Sequence, residues 1–106
     1  MCLILFAFRH HPRYPLVVAA NLDEFHERPT APASFWETAP PILAGRDLLC
    51  GGTWFGITGE GRFAAVVNYR DPDSRKSDAP SRGNLVTEYL LGKAPAEGFL
   101  ATLREK

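Results

Sequence analysis

A cysteine directly after the initiator methionine has a chemistry of its own. Aminopeptidases remove Met1 when the second residue is small, and this leaves Cys2 with a free α-amine beside its thiol. The ordinary pKa values of the two groups, about 7.7–8.0 and about 8.5, are close enough for the amine to act as the thiol's own general base. A carboxylate would hold and orient the resulting ammonium, and Asp23 is the candidate. Asn68 and backbone N–H groups near Gly51 and Gly52 are candidates for an oxyanion hole. Asn21 lies two residues before Asp23 and joins the same cluster. The other reading of Cys2 is a small apolar residue that opens a buried strand.

Two hairpins are needed to gather these residues. Residues 3–8 form an unbroken apolar run and residues 16–20 another, with a polar segment carrying Pro12 and Pro15 between them. That pattern predicts two strands joined by a turn. Pairing Phe8 with about Leu16 makes opposed residue numbers sum to about 24, which sets Cys2 opposite about Leu22, between Asn21 and Asp23. Residues 53–58 and 62–68 predict a second hairpin around the loop Gly59-Glu60-Gly61. Pairing Thr58 with Arg62 gives a sum of about 120, so Asn68 falls opposite about Gly52. One sheet containing both hairpins, with their open ends aligned, would collect all the candidates in a single cleft.

The remaining segments supply cover. Residues 25–41 contain Pro29, Pro32, Pro40 and Pro41 and no clean periodicity, so they are expected to form a long loop pinned to the core by Phe35 and Trp36. Residues 42–44 predict a short strand, and residues 69–80 an exposed loop. Ser81 suits a helix N-cap. Leu85, Val86, Tyr89 and Leu90 then recur at helical spacing, with Gly92 as a stop. Pro95 suits the start of a second helix, whose apolar face is Phe99, Leu100 and Leu103. Strands followed by helices predict an α+β fold with mostly antiparallel sheets. The first hairpin lacks polar alternation and is therefore expected to be buried on both faces. Two helices are little cover for that. The chain also stops within a helical pattern, so the rest of a domain, or self-association, is expected to complete it.

Composition narrows the function classes. The chain has 106 residues, enough for one small domain, and 45% of them are apolar. Twelve basic and twelve acidic residues cancel, which gives no electrostatic reason to propose nucleic acid as a partner. No stretch approaches the roughly 20 apolar residues of a membrane span. The opening apolar run is short for a signal peptide and has no basic segment before it, so a cytoplasmic location is expected. Cys2 and Cys50 are expected to be free thiols. His10, His11 and His26 show no metal-ligand spacing with them, and adjacent His10 and His11 read as solvated turn residues. Gly51-Gly52-Thr53-Trp54-Phe55-Gly56 lacks the Gly-Lys-Ser/Thr ending and following helix of a phosphate loop; it reads as a tight turn feeding a strand, with Trp54 in the core or a cleft wall.

Five motifs occur here in an order that resembles the NRDE family, also called the transport and Golgi organisation protein 2 family. They are Met1-Cys2-Leu3, Asn21-Leu22-Asp23-Glu24, Gly51-Gly52-Thr53-Trp54, the strand end from Phe63-Ala64 to Asn68-Tyr69-Arg70, and Ser81-Arg82-Gly83-Asn84-Leu85-Val86. The resemblance runs from Met1 to about Gly92. It implies an N-terminal portion of a longer domain, similar to N-terminal-nucleophile hydrolases, in which two sheets lie between layers of helices. Carried over, Cys2 would be the nucleophile, Asp23 its orienting acid and Asn68 an oxyanion donor, while Asn21, Gly51, Gly52 and Arg82 would line the ligand site. Leu22 replaces the arginine of the family's Asn-Arg-Asp-Glu motif. Ala20 stands where the bile-salt hydrolase and penicillin acylase branch carries arginine. Both departures remove fixed charge beside the site. The resemblance implies no required cofactor. It links eukaryotic members to Golgi–ER organisation, haem trafficking and lipid or acyl-CoA metabolism. The alternative to an amide or ester hydrolase is therefore a non-catalytic carrier holding haem or an acyl chain as a small-molecule ligand, with Cys2 or His26 as an axial haem ligand.

Overall fold

A computed structural model describes residues 3–21, 27–67 and 82–104. The fold is α+β, with two antiparallel sheets and two helices. Residues 3–21 belong to one compact unit; residues 28–66 and 82–104 belong to a second.

The first unit contains a hairpin of β1 (Leu3–Phe8) and β2 (Leu16–Asn21). Its register runs from Leu3↔Asn21 to Phe8↔Leu16, each pair summing to 24 as the apolar runs predict. Arg9 opens the turn at φ 55, and its N–H donates to the Pro15 carbonyl at 2.7 Å. His10 and His11 are exposed there, as expected. Burial departs from expectation. Leu5, Phe6 and Phe8 are 60%, 71% and 62% exposed, so the hairpin is not covered on both faces. The reason for expecting cover still holds, because neither face carries the polar alternation of a solvated strand pair.

The second unit is a four-stranded sheet in the order β3-β4-β5-β6 with helices attached. Its strands are β3 (Thr30–Phe35), β4 (Ile42–Asp47), β5 (Phe55–Thr58) and β6 (Phe63–Ala65). The second hairpin keeps its expected register, Phe55↔Ala65 to Ile57↔Phe63, although both strands are shorter than the apolar runs suggest. Gly61 takes the left-handed position of the loop at φ +91, and the Thr58 N–H donates to the Arg62 carbonyl at 2.9 Å. Among the described residues the two hairpins belong to different sheets.

Strand β3 corrects the reading of residues 25–41 as a loop. Ala31, Pro32, Ala33 and Ser34 carry almost no strand propensity, which hides it in the sequence. An edge strand tolerates proline, and the ladder shifts register between Ala31 and Ser34, around Pro32. Strand β4 also runs three residues beyond the expected 42–44. Of the two expected anchors only Trp36 is buried, donating its ring N–H to the Ala44 carbonyl at 3.2 Å; Phe35 is 69% exposed.

Helix α1 (Gly83–Leu91) begins after Arg82 and ends at Gly92, whose N–H donates to the Glu88 and Tyr89 carbonyls. Its expected apolar face meets the sheet: Val86 and Leu90 join Ile42, Ala44 and Trp36 in the core. Ser81, the expected cap, lies outside the described residues. Helix α2 (Ala96–Arg104) follows Pro95, and Phe99 meets Tyr89 with ring centroids 5.3 Å apart. Leu103 is half-buried, but Leu100, expected on the same face, is 58% exposed. Arg62 ties the second hairpin to the helices by donating to the Tyr89 carbonyl at 2.8 Å and the Ala94 carbonyl at 2.7 Å, its guanidinium stacked on the Tyr89 ring.

Candidate functional site

Three of the expected site residues, Cys2, Asp23 and Asn68, lie outside the described residues, as does His26. Their described chain neighbours are informative. Leu3, bonded to Cys2, is paired directly with Asn21, two residues before Asp23. Val66, two residues before Asn68, donates its N–H to the Trp54 carbonyl at 2.9 Å.

The Gly51-Gly52 motif and the Arg82-Gly83-Asn84 motif come together. A methyl group on Gly52 would lie 2.7 Å from the Gly83 carbonyl carbon and oxygen, and 3.0 Å from the Asn84 nitrogen. Only glycine allows this turn to sit directly against the first residues of α1. Gly51 meets no such obstacle but has φ +84, a conformation that suits glycine for a different reason. The Gly51 N–H donates to the Asp47 carbonyl at 2.7 Å, so it is engaged within the turn. Asn21 belongs to the hairpin unit and Gly51, Gly52 and Arg82 to the sheet unit.

Asp47 holds this turn in shape. Its N–H donates to the Gly52 carbonyl at 2.8 Å, and its Oδ1 accepts from the Leu49 N–H at 3.0 Å, closing an Asx-type turn. The carboxylate also receives both arms of Arg28, Nη2 to Oδ2 at 2.6 Å and Nε to Oδ1 at 3.2 Å. Those hydrogen bonds hold the Asp47 carboxyl below the usual carboxylate range, against the opposing effect of burial. The Arg28 Nη2 lies 3.4 Å from the Cys50 sulfur, and Cys50 is an exposed free thiol. Arg46 donates to the Gly51 carbonyl at 3.0 Å and stacks over Trp36, fixing the turn from its other side. Trp54, half-buried, sets its ring edge 3.1 Å from where a Gly45 side chain would begin.

Sequence reasoning missed Arg28 and Asp47. A pair 19 residues apart leaves no periodic trace. One local signal was present: an aspartate opening a turn that ends in two glycines favours side-chain capping of its own backbone. Among the described residues no group of histidine, cysteine or carboxylate side chains is arranged to hold a metal. A shallow open depression of about 680 Å3 lies elsewhere in the sheet unit, beside Pro40, Glu60, Leu91 and Lys93, and includes none of the candidate residues.

The fold is thus that of an α+β protein in which a glycine turn, braced by an Arg28–Asp47 ion pair, abuts a helix start. Residues 1–106 match the family described as Transport and Golgi organisation 2, and the chain belongs to that family. It is 43% identical to the human transport and Golgi organization protein 2 homolog and 39% identical to its mouse homolog, over 94% of this chain and 38% of each relative. It is 34% identical to transport and Golgi organization protein 2 of Drosophila melanogaster, over the whole of this chain and 40% of that protein. The chain therefore spans about two fifths of the length of these relatives. Among the described residues no helix is long and apolar enough to cross a membrane.

Proposed function

We propose that this chain carries the nucleophile-bearing part of a cysteine hydrolase acting on an amide or ester, in a protein that serves transport and Golgi organisation. The observation that supports the reading is the pairing of Leu3, which follows Cys2, with Asn21, two residues before Asp23. In the proposed reaction the freed α-amine of Cys2 takes the thiol proton and the thiolate adds to the substrate carbonyl. Asn68 donates to the resulting oxyanion, and Asp23 steadies the ammonium. Collapse passes that proton to the leaving amine or alcohol and leaves a thioester, which water then cleaves. The glycine turn and Arg82 would line the substrate side.

Intact-mass measurement tests this in two steps. The purified protein should lack Met1. Brief incubation with activated p-nitrophenyl esters should then leave an acyl adduct that peptide mapping finds on Cys2 in wild-type protein, with any adduct on the exposed Cys50 unchanged in Cys2→Ala. Retained Met1 would remove the mechanism, because the amine would sit on the wrong residue.

One observation favours a second reading, a carrier for an apolar ligand such as haem or an acyl chain. Leu5, Phe6 and Phe8 project exposed apolar surface from a strand pair, which suits an apolar ligand better than a polar substrate. A haem titration followed by absorbance tests the haem form of this reading. A haem carrier gives a Soret shift that weakens in Cys2→Ala or His26→Ala, whereas no shift with wild type counts against haem as the ligand.

A further inference from the structure

The charges of the chain cancel in total but not locally. Residues 1–22 contain no aspartate or glutamate, while Arg9, His10, His11 and Arg13 all fall within them. The four sit at the turn end of the first hairpin, in an unbroken exposed stretch from Phe8 to Val17. The turn has a defined shape. The Arg9 N–H closes it on the Pro15 carbonyl at 2.7 Å, the Arg13 N–H donates to His11 Nδ1 at 3.1 Å, and the His11 and Tyr14 rings meet with centroids 5.1 Å apart. Pro12 and Pro15 restrict the backbone at two of its positions. Among the described residues neither Arg9 nor Arg13 has a carboxylate partner; the Arg9 guanidinium stacks over the Phe8 ring at 5.0 Å. Arginines of the second unit are engaged in the fold instead: Arg28 with Asp47, Arg46 with the Gly51 carbonyl, Arg62 with the Tyr89 and Ala94 carbonyls. Phe8, Tyr14 and Leu16 are exposed beside the two unpaired cations.

We propose that this turn is a docking surface for an anionic lipid membrane. Two guanidinium groups without carboxylate neighbours complement lipid phosphates, whose oxygens match the arginine fork. Aromatic rings next to cations suit the boundary between headgroups and acyl chains. A nucleic acid would take the arginines but leave Phe8 and Leu16 in water, and two phosphate contacts supply little affinity by themselves. So small a set of cations and rings gives reversible adsorption, not anchoring. The turn lies roughly 17 Å along the strands from the Leu3↔Asn21 pair, so the surface stands whether or not Cys2 is a nucleophile.

Cosedimentation of the 106-residue chain with lipid vesicles tests the proposal. The vesicles are phosphatidylcholine alone or phosphatidylcholine with about 30% phosphatidylserine. The chain should sediment with the anionic vesicles at low salt, stay in solution with the neutral ones, and be released from the anionic vesicles by about 0.5 M salt. Each arginine near an anionic surface is worth a factor of roughly five, so the double variant Arg9→Gln/Arg13→Gln should bind roughly 20–30-fold more weakly. Lys93→Gln/Arg104→Gln removes the same charge from exposed positions of the second unit and should bind as wild type does. Tyr14→Ser leaves the charge unchanged and should bind several-fold more weakly. Equal binding to neutral and anionic vesicles overturns the proposal, because apolar strand surface would then account for it. Equal loss in the two double variants overturns it too, because net charge alone would be responsible, as does a Tyr14→Ser chain that binds as wild type does. Fluorescence anisotropy with a labelled single-stranded oligonucleotide is the last arm. An oligonucleotide held more tightly than the vesicles, and released in Arg9→Gln/Arg13→Gln, assigns the turn to nucleic acid and overturns the proposal as well.

Discussion

Replacing Gly52 by alanine probes the junction that brings two of the site motifs together. The new methyl carbon would start 2.7 Å from two backbone atoms of Gly83 and 3.0 Å from the backbone nitrogen of Asn84. Favourable carbon contacts lie near 3.5–4.0 Å, and backbone atoms cannot rotate aside, so the turn and α1 must part by roughly 1 Å. Overpacking of this kind costs about 1–3 kcal/mol. Alanine also restricts the unfolded chain, which offsets about 0.4–1 kcal/mol. The net expectation is a loss of roughly 1–2 kcal/mol, or roughly 5–10 °C in Tm. Two other glycines calibrate the result. Gly51→Ala meets open space but must adopt φ +84, a strain of about 1–2 kcal/mol before the same offset, so a smaller loss is expected. Gly59→Ala meets neither obstacle and should be neutral or slightly stabilising. Urea midpoints should therefore fall in the order Gly59→Ala, Gly51→Ala, Gly52→Ala. A Gly52→Ala protein as stable as Gly59→Ala would refute the close approach of the turn to α1.

Three further outcomes follow from the same contacts. Because the folded-state pKa of Asp47 is depressed, its contribution is complete above the ordinary carboxylate value of 3.8 and is lost as pH falls through the lower folded value; Asp47→Asn should cost roughly 1–2 kcal/mol in urea melts at pH 7, and the gap to wild type should close under acid. Leu90 is fully buried against the sheet, so Leu90→Ala should lose about 2–5 kcal/mol and cause the largest fall in the thermal melt among these variants. Arg62→Lys keeps the charge but not the planar fork that reaches both Tyr89 and Ala94, and a loss of about 1 kcal/mol by the same assay is expected.

What the sequence revealed and what it hid divide along physical lines. The two hairpin registers were legible because short polar or glycine loops between apolar runs leave few ways to pair them. The face of α1 was legible from the spacing of Val86 and Leu90. Strand β3 was hidden because its residues are held by the edge of β4 rather than by their own propensity. No local pattern encodes which sheet a hairpin joins, so the assignment of the two hairpins to different sheets was not legible. The Arg28–Asp47 brace escaped for a related reason: long-range charge pairs are set by tertiary approach. The glycine turn was noticed, but its purpose was not. Gly52 reads as one of many turn glycines until the start of α1 is seen against it.

The most direct test of the proposed chemistry compares two thiols in one protein. A thiol whose pKa is lowered by a neighbouring ammonium carries a larger thiolate fraction at pH 7, and this gain outweighs its loss of basicity. Cys50 is an exposed free thiol and serves as the internal reference. Iodoacetamide modification at pH 7, followed by peptide mass spectrometry, should find Met1 absent and Cys2 modified faster than Cys50. Met1 still present, or Cys2 modified no faster than Cys50, would contradict the account.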